Sequence, residues 1–118
     1  MEKHQIKRDG LPPIAFIGEC IGSGSNKIQG GNRANRWTEV DIYRTKGGRF
    51  VGAVRRRTCW QGESDHDSAG SFATAPDVIG WLRGDNGGDE LGAVSQEAVE
   101  KAVENDPAFA VAWIETVE

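Results

Sequence analysis

RWTEVDIYRTKGGRFVGAVRRRT, residues 36–58, is the stretch whose reading decides the fold. Its first half alternates, with Thr38, Val40 and Ile42 set against Trp37, Glu39, Asp41 and Tyr43. Successive side chains of a strand leave opposite faces, so this pattern marks a half-buried β-strand. Phe50, Val51, Ala53 and Val54 open a second apolar run, and Lys46-Gly47-Gly48-Arg49 lies between the two. Adjacent glycines suit a two-residue hairpin turn, whose central residues need positive φ. That turn would face Lys46 with Arg49, and therefore Ile42 with Ala53, Val40 with Arg55 and Glu39 with Arg56. The stretch predicts an antiparallel hairpin over 36–58.

Working outward, PPIAFIGECI (12–21) reads as a further strand, with Ile14, Phe16 and Gly18 on one face and Ala15, Ile17 and Glu19 on the other. Its prolines suit a strand start. Residues 1–11 are polar and are expected to be a flexible end. Residues 22–35, GSGSNKIQGGNRAN, are rich in Gly, Ser and Asn and read as a long loop. Downstream of the hairpin, a turn over 61–67 leads to a short strand near 68–73. Thr74 then caps a helix, with Asp77 close to a capping-box position and Gly84 as its stop. Ser95 is the expected cap of the next helix, striped by Ala98, Val99, Ala102 and Val103 and braced by Glu97 and Lys101. Asp106 and Pro107 start a last helix, with Phe109, Trp113 and Val117 along one face and Ala110 and Ile114 beside them. Strands first and helices last argue an α+β fold. The expectation is one domain over 1–118, an antiparallel sheet of three or four strands with C-terminal helices packed on one face.

Hydrophobic residues at 37% and charged ones at 27% fit a soluble globular chain. No apolar run approaches the roughly 18 residues of a membrane span. Pro12, Pro13 and Gly18 interrupt the one apolar stretch near the N-terminus, so it does not read as a signal peptide. A cytoplasmic location, with no membrane contact, is expected. Cys20 and Cys59 form no CxxC, and with His4 and His66 they are scattered, unlike a zinc site. Both are read as free thiols, and no cofactor is expected. The net charge of −4 hides a split. Residues 1–58 carry 12 Lys and Arg against 5 Asp and Glu, whereas 59–118 carry 2 against 13. Two halves of one fold that neutralise each other explain this balance, and a basic half that meets a polyanion is the other explanation.

Arg36-Trp37-Thr38-Glu39, Tyr43-Arg44-Thr45, Gly48-Arg49-Phe50-Val51 and Trp60-Gln61-Gly62-Glu63 are shared elements of a recurring pattern. Together they resemble a hairpin segment of uncharacterised small bacterial proteins, often carried on plasmids or other mobile DNA. Asp77-Val78-Ile79 extends the resemblance, which covers residues 36–82. It implies no activity.

The candidate sites follow from residue type and spacing. Arg55 and Arg57 share one strand face, Arg56 takes the other, and Arg44 is expected near the face of Arg55, with Lys46 and Arg49 at the tip. A basic two-stranded ribbon can ride phosphates or enter a major groove. Glu63, Asp65, His66 and Asp67 are carboxylates and an imidazole, the donors a divalent cation takes. Cys59 beside His66 raises a nucleophilic pair, with no obvious third group to orient it. GECIGSGS (18–25) is followed by no helix and is therefore not a phosphate loop. Trp37, Tyr43 and Trp60 are either core or a sticky contact stripe. The resulting expectation is a small non-catalytic binding or interaction protein that uses 36–67 as its contact surface. Its contact residues would be Trp37, Tyr43, Arg44, Arg49, Arg55, Arg57 and Trp60. The partner would be another protein or a second copy, with Phe109 and Trp113 seating a dimer. A nucleic-acid accessory protein built on the basic hairpin is one alternative. A metal-binding protein or enzyme centred on Glu63, Asp65, His66 and Asp67 is the other.

Overall fold

The computed structural model describes residues 1–27 and 35–114. Five strands precede three helices: β1 (Glu2–Arg8), β2 (Leu11–Ser25), β3 (Arg36–Thr45), β4 (Phe50–Thr58), β5 (His66–Phe72), α1 (Ala75–Asp85), α2 (Ala93–Asn105) and α3 (Pro107–Ala112). Every strand is antiparallel to its neighbour, in the sheet order β1-β2-β3-β4-β5. The α+β class holds, and the sheet has five strands rather than three or four. The extra strand is β1, in the segment expected to be flexible. It reads as polar because it is a sheet edge, where only Ile6 of the strand is buried and the other side chains can stay polar.

The hairpin 36–58 forms, but with a different turn. Thr45 N donates to Arg49 O at 2.8 Å and Gly48 N to Thr45 O at 3.0 Å, so the loop is Lys46-Gly47-Gly48. Only Gly48 has positive φ, at 85°. A three-residue loop closed by one left-handed glycine replaces the two-residue turn. The register therefore moves by one residue: Val40 faces Val54, Ile42 faces Gly52, and Glu39 faces Arg55. One step of register decides which face each side chain takes relative to its partner. Here it sets valine against valine and arginine against glutamate. It also corrects the place of Arg44, which faces Phe50 on the helix side and not the face of Arg55.

Val40, Ile42, Phe50 and Val54 join Ile21 on the helix side to form the main core with Val78, Ile79, Leu82, Ala98, Val99, Ala102 and Phe109. The opposite face buries a second cluster of Ile6, Tyr43, Val51 and Ala53, flanked by Ile14, Phe16 and Ala69. The sheet curls around this second cluster until its edges meet. Asp9 N donates to Asp67 O at 2.9 Å, and Asp9 Oδ2 accepts from Asp67 N at 3.1 Å.

β2 runs on through Ser25, where a loop from 22 was expected. The glycines there serve the helix packing. A Cβ on Gly22 would lie 2.1 Å from Ala98 O, and one on Gly24 would lie 2.4 Å from Val94 O. Only glycine lets α2 sit this close to the strand. The rest of the expected loop, 28–34, lies outside the described residues.

Thr74 caps α1 through Asp77 N at 3.3 Å, as its spacing predicts. The helix passes Gly84 and ends at Asp85, with Gly87 and Gly88 supplying the left-handed turn. α2 starts at Ala93 with Gly92 as cap, and Ser95 is a buried residue inside it rather than its cap. Asp106 caps α3 through Ala108 N at 2.8 Å. Phe109 is fully buried, edge-on to Phe50 at 5.3 Å, so it is a core residue and not a dimer seat. Val117 lies outside the described residues.

Candidate functional site

A cleft of about 510 Å³ sits where β3 begins and β4 ends. Cross-strand register builds it, because Arg36 faces Thr58, Trp37 faces Arg57 and Thr38 faces Arg56. Asn26 closes one side, and Glu63, Ser64 and His66 the other. Asn26 is held by its Oδ1, which accepts from Thr38 N at 2.7 Å.

Three arginines line this cleft, and each is already matched. Arg36 grips Glu63 with both its Nε (2.9 Å) and Nη2 (2.5 Å), while Thr58 Oγ1 donates to the same carboxylate at 2.6 Å. Those hydrogen bonds, with the nearby positive charge, hold the Glu63 carboxyl down to about 2. Arg56 reaches Asp85 at the end of α1, at 2.6 Å. Arg57 lies between Asp67, at 3.1 Å, and Asp65, at 3.6 Å. Farther along the sheet, Arg55 pairs with Asp41, and Arg44 pairs with Glu19 and with Asp106. Arg36, Arg44, Arg56 and Arg57 thus each take a carboxylate from residues 59–118. Part of the charge split seen in the sequence is neutralised inside the fold. Lys46 and Arg49, exposed at the hairpin tip, pair with no carboxylate among the described residues.

The expected contact residues separate. Tyr43 is only 7% exposed and packs against His4 and Phe16 in the second core, so it is not available to a partner. Burial, and then the charge of Asp41, push its hydroxyl pKa up. Trp37 is half-buried; its Nε1 donates to Glu39 at 2.8 Å, and Lys27 Nζ lies 4.5 Å from its ring centroid. Trp60 is 52% exposed, with the Arg36 guanidinium 5.8 Å from its ring centroid. The sequence reading missed Arg36, Thr38, Thr58 and Asn26. With the correct turn, the pairing of 36 with 58 would have placed the first three at one strand end.

Glu63, Asp65, His66 and Asp67 do not converge on a shared point. His66 and Asp67 are the first residues of β5 and leave opposite faces. His66 Nδ1 meets Asp9 Oδ2 at 3.3 Å, Asp67 is buried against Arg57, and Asp65 Oδ1 accepts from Thr58 N at 3.0 Å. Among the described residues, no group of three or more His, Cys, Asp or Glu side chains is placed to hold a metal ion. Cys20 and Cys59 are both free and exposed; Cys20 Sγ donates to Gly22 O at 3.4 Å, and its partial burial, followed by the charge of Asp41, raises its pKa. Among the described residues, no helix is long and apolar enough to cross a membrane. Comparison with protein-family models, with curated proteins and with solved structures finds no match.

Proposed function

We propose that this is a small non-catalytic binding protein, grouped with the mobile-element proteins its hairpin resembles. Its contact surface is the strand-end cleft and the loop after β4. The observation that carries the reading is Trp60, half exposed on a loop whose Glu63 is pinned to Arg36 and Thr58. An exposed tryptophan beside an ordered arginine is the composition of a protein-binding hot spot. Because the cleft arginines are matched by carboxylates, the surface offers little net positive charge to a phosphate backbone, which favours a protein surface over nucleic acid. A second copy of the chain is the simplest such partner.

Light scattering across a dilution series tests this. The expected result is an oligomer that Trp60→Ala converts to monomer without loss of thermal stability. A monomer that binds labelled oligonucleotide with steep salt dependence moves the function to nucleic acid. A monomer stabilised by a divalent cation, with the effect lost in His66→Ala, moves it to metal binding. A monomer with neither response overturns the proposal.

A further inference from the structure

β1 covers only part of β2. Its pairing begins with Glu2 opposite Gly18, so residues 19–25 of β2 have β3 on one side and no described strand on the other. Hydrogen bonds show which way the backbone turns along this edge. Asn26 N donates to Thr38 O at 3.2 Å, which directs the backbone of residue 26 toward β3. Strand polar groups alternate sides, so Gly24 and Gly22 also turn toward β3, and Ser23 and Ser25 turn their N–H and C=O outward. At the bulge between Cys20 and Gly22, Ile21 O is satisfied by Asn105 Nδ2 at 3.0 Å. The outward backbone groups of Ser23 and Ser25 have no such partner among the described residues.

A groove follows this edge. One part, about 420 Å³, lies among Ser23, Ser25, Glu39, Asp41, Glu97 and Lys101. A second, about 280 Å³, lies among Cys20, Ser23, Lys101, Glu104 and Asn105. Ser23 and Lys101 border both, so the two parts adjoin along one line between β2 and α2. A strand edge without a neighbour among the described residues, flanked by a helix, has the geometry in which an extended peptide adds as a further strand.

We propose that this groove binds an extended peptide segment with basic side chains, paired through its backbone to Ser23 and Ser25. Beyond the bulge, residues 22–25 give it roughly 13 Å of edge at about 3.3 Å per residue. Of the charges along the groove's borders, Asp41 is held by Arg55 and Glu97 by Lys101, which leaves the carboxylates Glu39 and Glu104 against the ammonium group of Lys27. Lys101 is already bound to Glu97 at 3.1 Å, whereas Glu104 has no cation partner among the described residues. A second copy offering the same edge would bring two acidic borders together, so the charge favours a basic peptide over self-pairing.

Amide hydrogen exchange on the full chain tests the proposal, with a blocked alternating Lys-Val peptide as probe. An alternating Glu-Val peptide and a Lys-Val peptide N-methylated at alternate residues are the controls. At saturation the Lys-Val peptide is expected to slow exchange at Ser23 and Ser25 about tenfold or more, and neither control should. Glu97→Lys with Glu104→Lys, both on exposed positions, should weaken binding by about tenfold with the melting temperature preserved. Equal protection by the N-methylated peptide overturns the strand-addition reading. So do slow exchange at both serines in the peptide-free protein and protection that rises with protein concentration alone, the signature of a second copy.

Discussion

Gly22→Ala probes how α2 is seated on the sheet. The new Cβ would stand 2.1 Å from Ala98 O, 2.9 Å from Ala102 N and 3.1 Å from Ala102 Cβ, where ordinary contact begins at 3.4 Å. The nearest obstacles are helix backbone, so no side-chain rotation relieves them. Either α2 lifts by roughly 1 Å or β2 bends away, and close-packed interiors absorb neither easily. Ala98, Val99 and Ala102, the fully buried residues of α2 itself, would part from the strand. Overpacking of this kind costs about 1–3 kcal/mol, and a clash with backbone belongs at the upper end. For a chain of this size about 3 kcal/mol lowers the melting temperature by roughly 10 °C. Urea denaturation followed by tryptophan fluorescence measures the loss. Gly80→Ala is the matched control, because its Cβ meets nothing within 4 Å inside α1. It should gain about 0.5–1 kcal/mol from helix propensity. A Gly22→Ala protein within about 0.5 kcal/mol of the parent, alongside a normal Gly80→Ala gain, would refute the close seating of α2.

Two further expectations concern charge. Asp106 both caps α3 and receives Arg44 Nη1 at 2.8 Å, at 4% exposure; Asp106→Ala should cost about 2–3 kcal/mol and Asp106→Asn about half of that, because the amide keeps the cap. Equal losses in urea titrations of the two variants would show that the cap contributes nothing. Glu63 has its folded pKa lowered from 4.5 to about 2, so its contribution to stability is complete above pH 4.5 and is lost as pH falls through about 2. Glu63→Gln should therefore narrow its stability gap to the parent across that window, and a carboxyl titration midpoint in the ordinary glutamate range would remove the Arg36 pairing as its cause.

Much of the hairpin and of the helix starts is legible in the sequence, because local chemistry determines them. Alternation assigns the faces of 37–43, and Thr74 and Asp106 announce their caps. What escapes is whatever depends on a distant partner. Gly47-Gly48 suggests a two-residue turn, yet the adopted loop adds Lys46, and that one residue shifts every pair of the hairpin. Gly22 and Gly24 look like loop residues because nothing nearby reveals that a helix from the C-terminal half rests on them. β1 is hidden by its polar composition, since an edge strand needs little apolar surface. At the candidate site, the arginines and carboxylates are visible as charge, but the matching of Arg57 to Asp67 or Arg56 to Asp85 requires the folded sheet.

The order of the strands also bears on how quickly the chain can find its fold. Each strand pairs with its neighbour in sequence, so most of the sheet assembles by extending hairpins over short chain separations. Within the sheet, such local pairing goes with fast assembly, whereas the docking of α2 on β2 joins distant parts of the chain. Among the strand pairings, the Asp9–Asp67 link is the exception, joining residues 58 apart to draw one edge of the sheet onto the other. Its loop-closure entropy is largest when the intervening strands are unformed and shrinks once they are in place. The meander is thus a scaffold that makes its own closure inexpensive, and the curl is a late product of the ladder rather than its template.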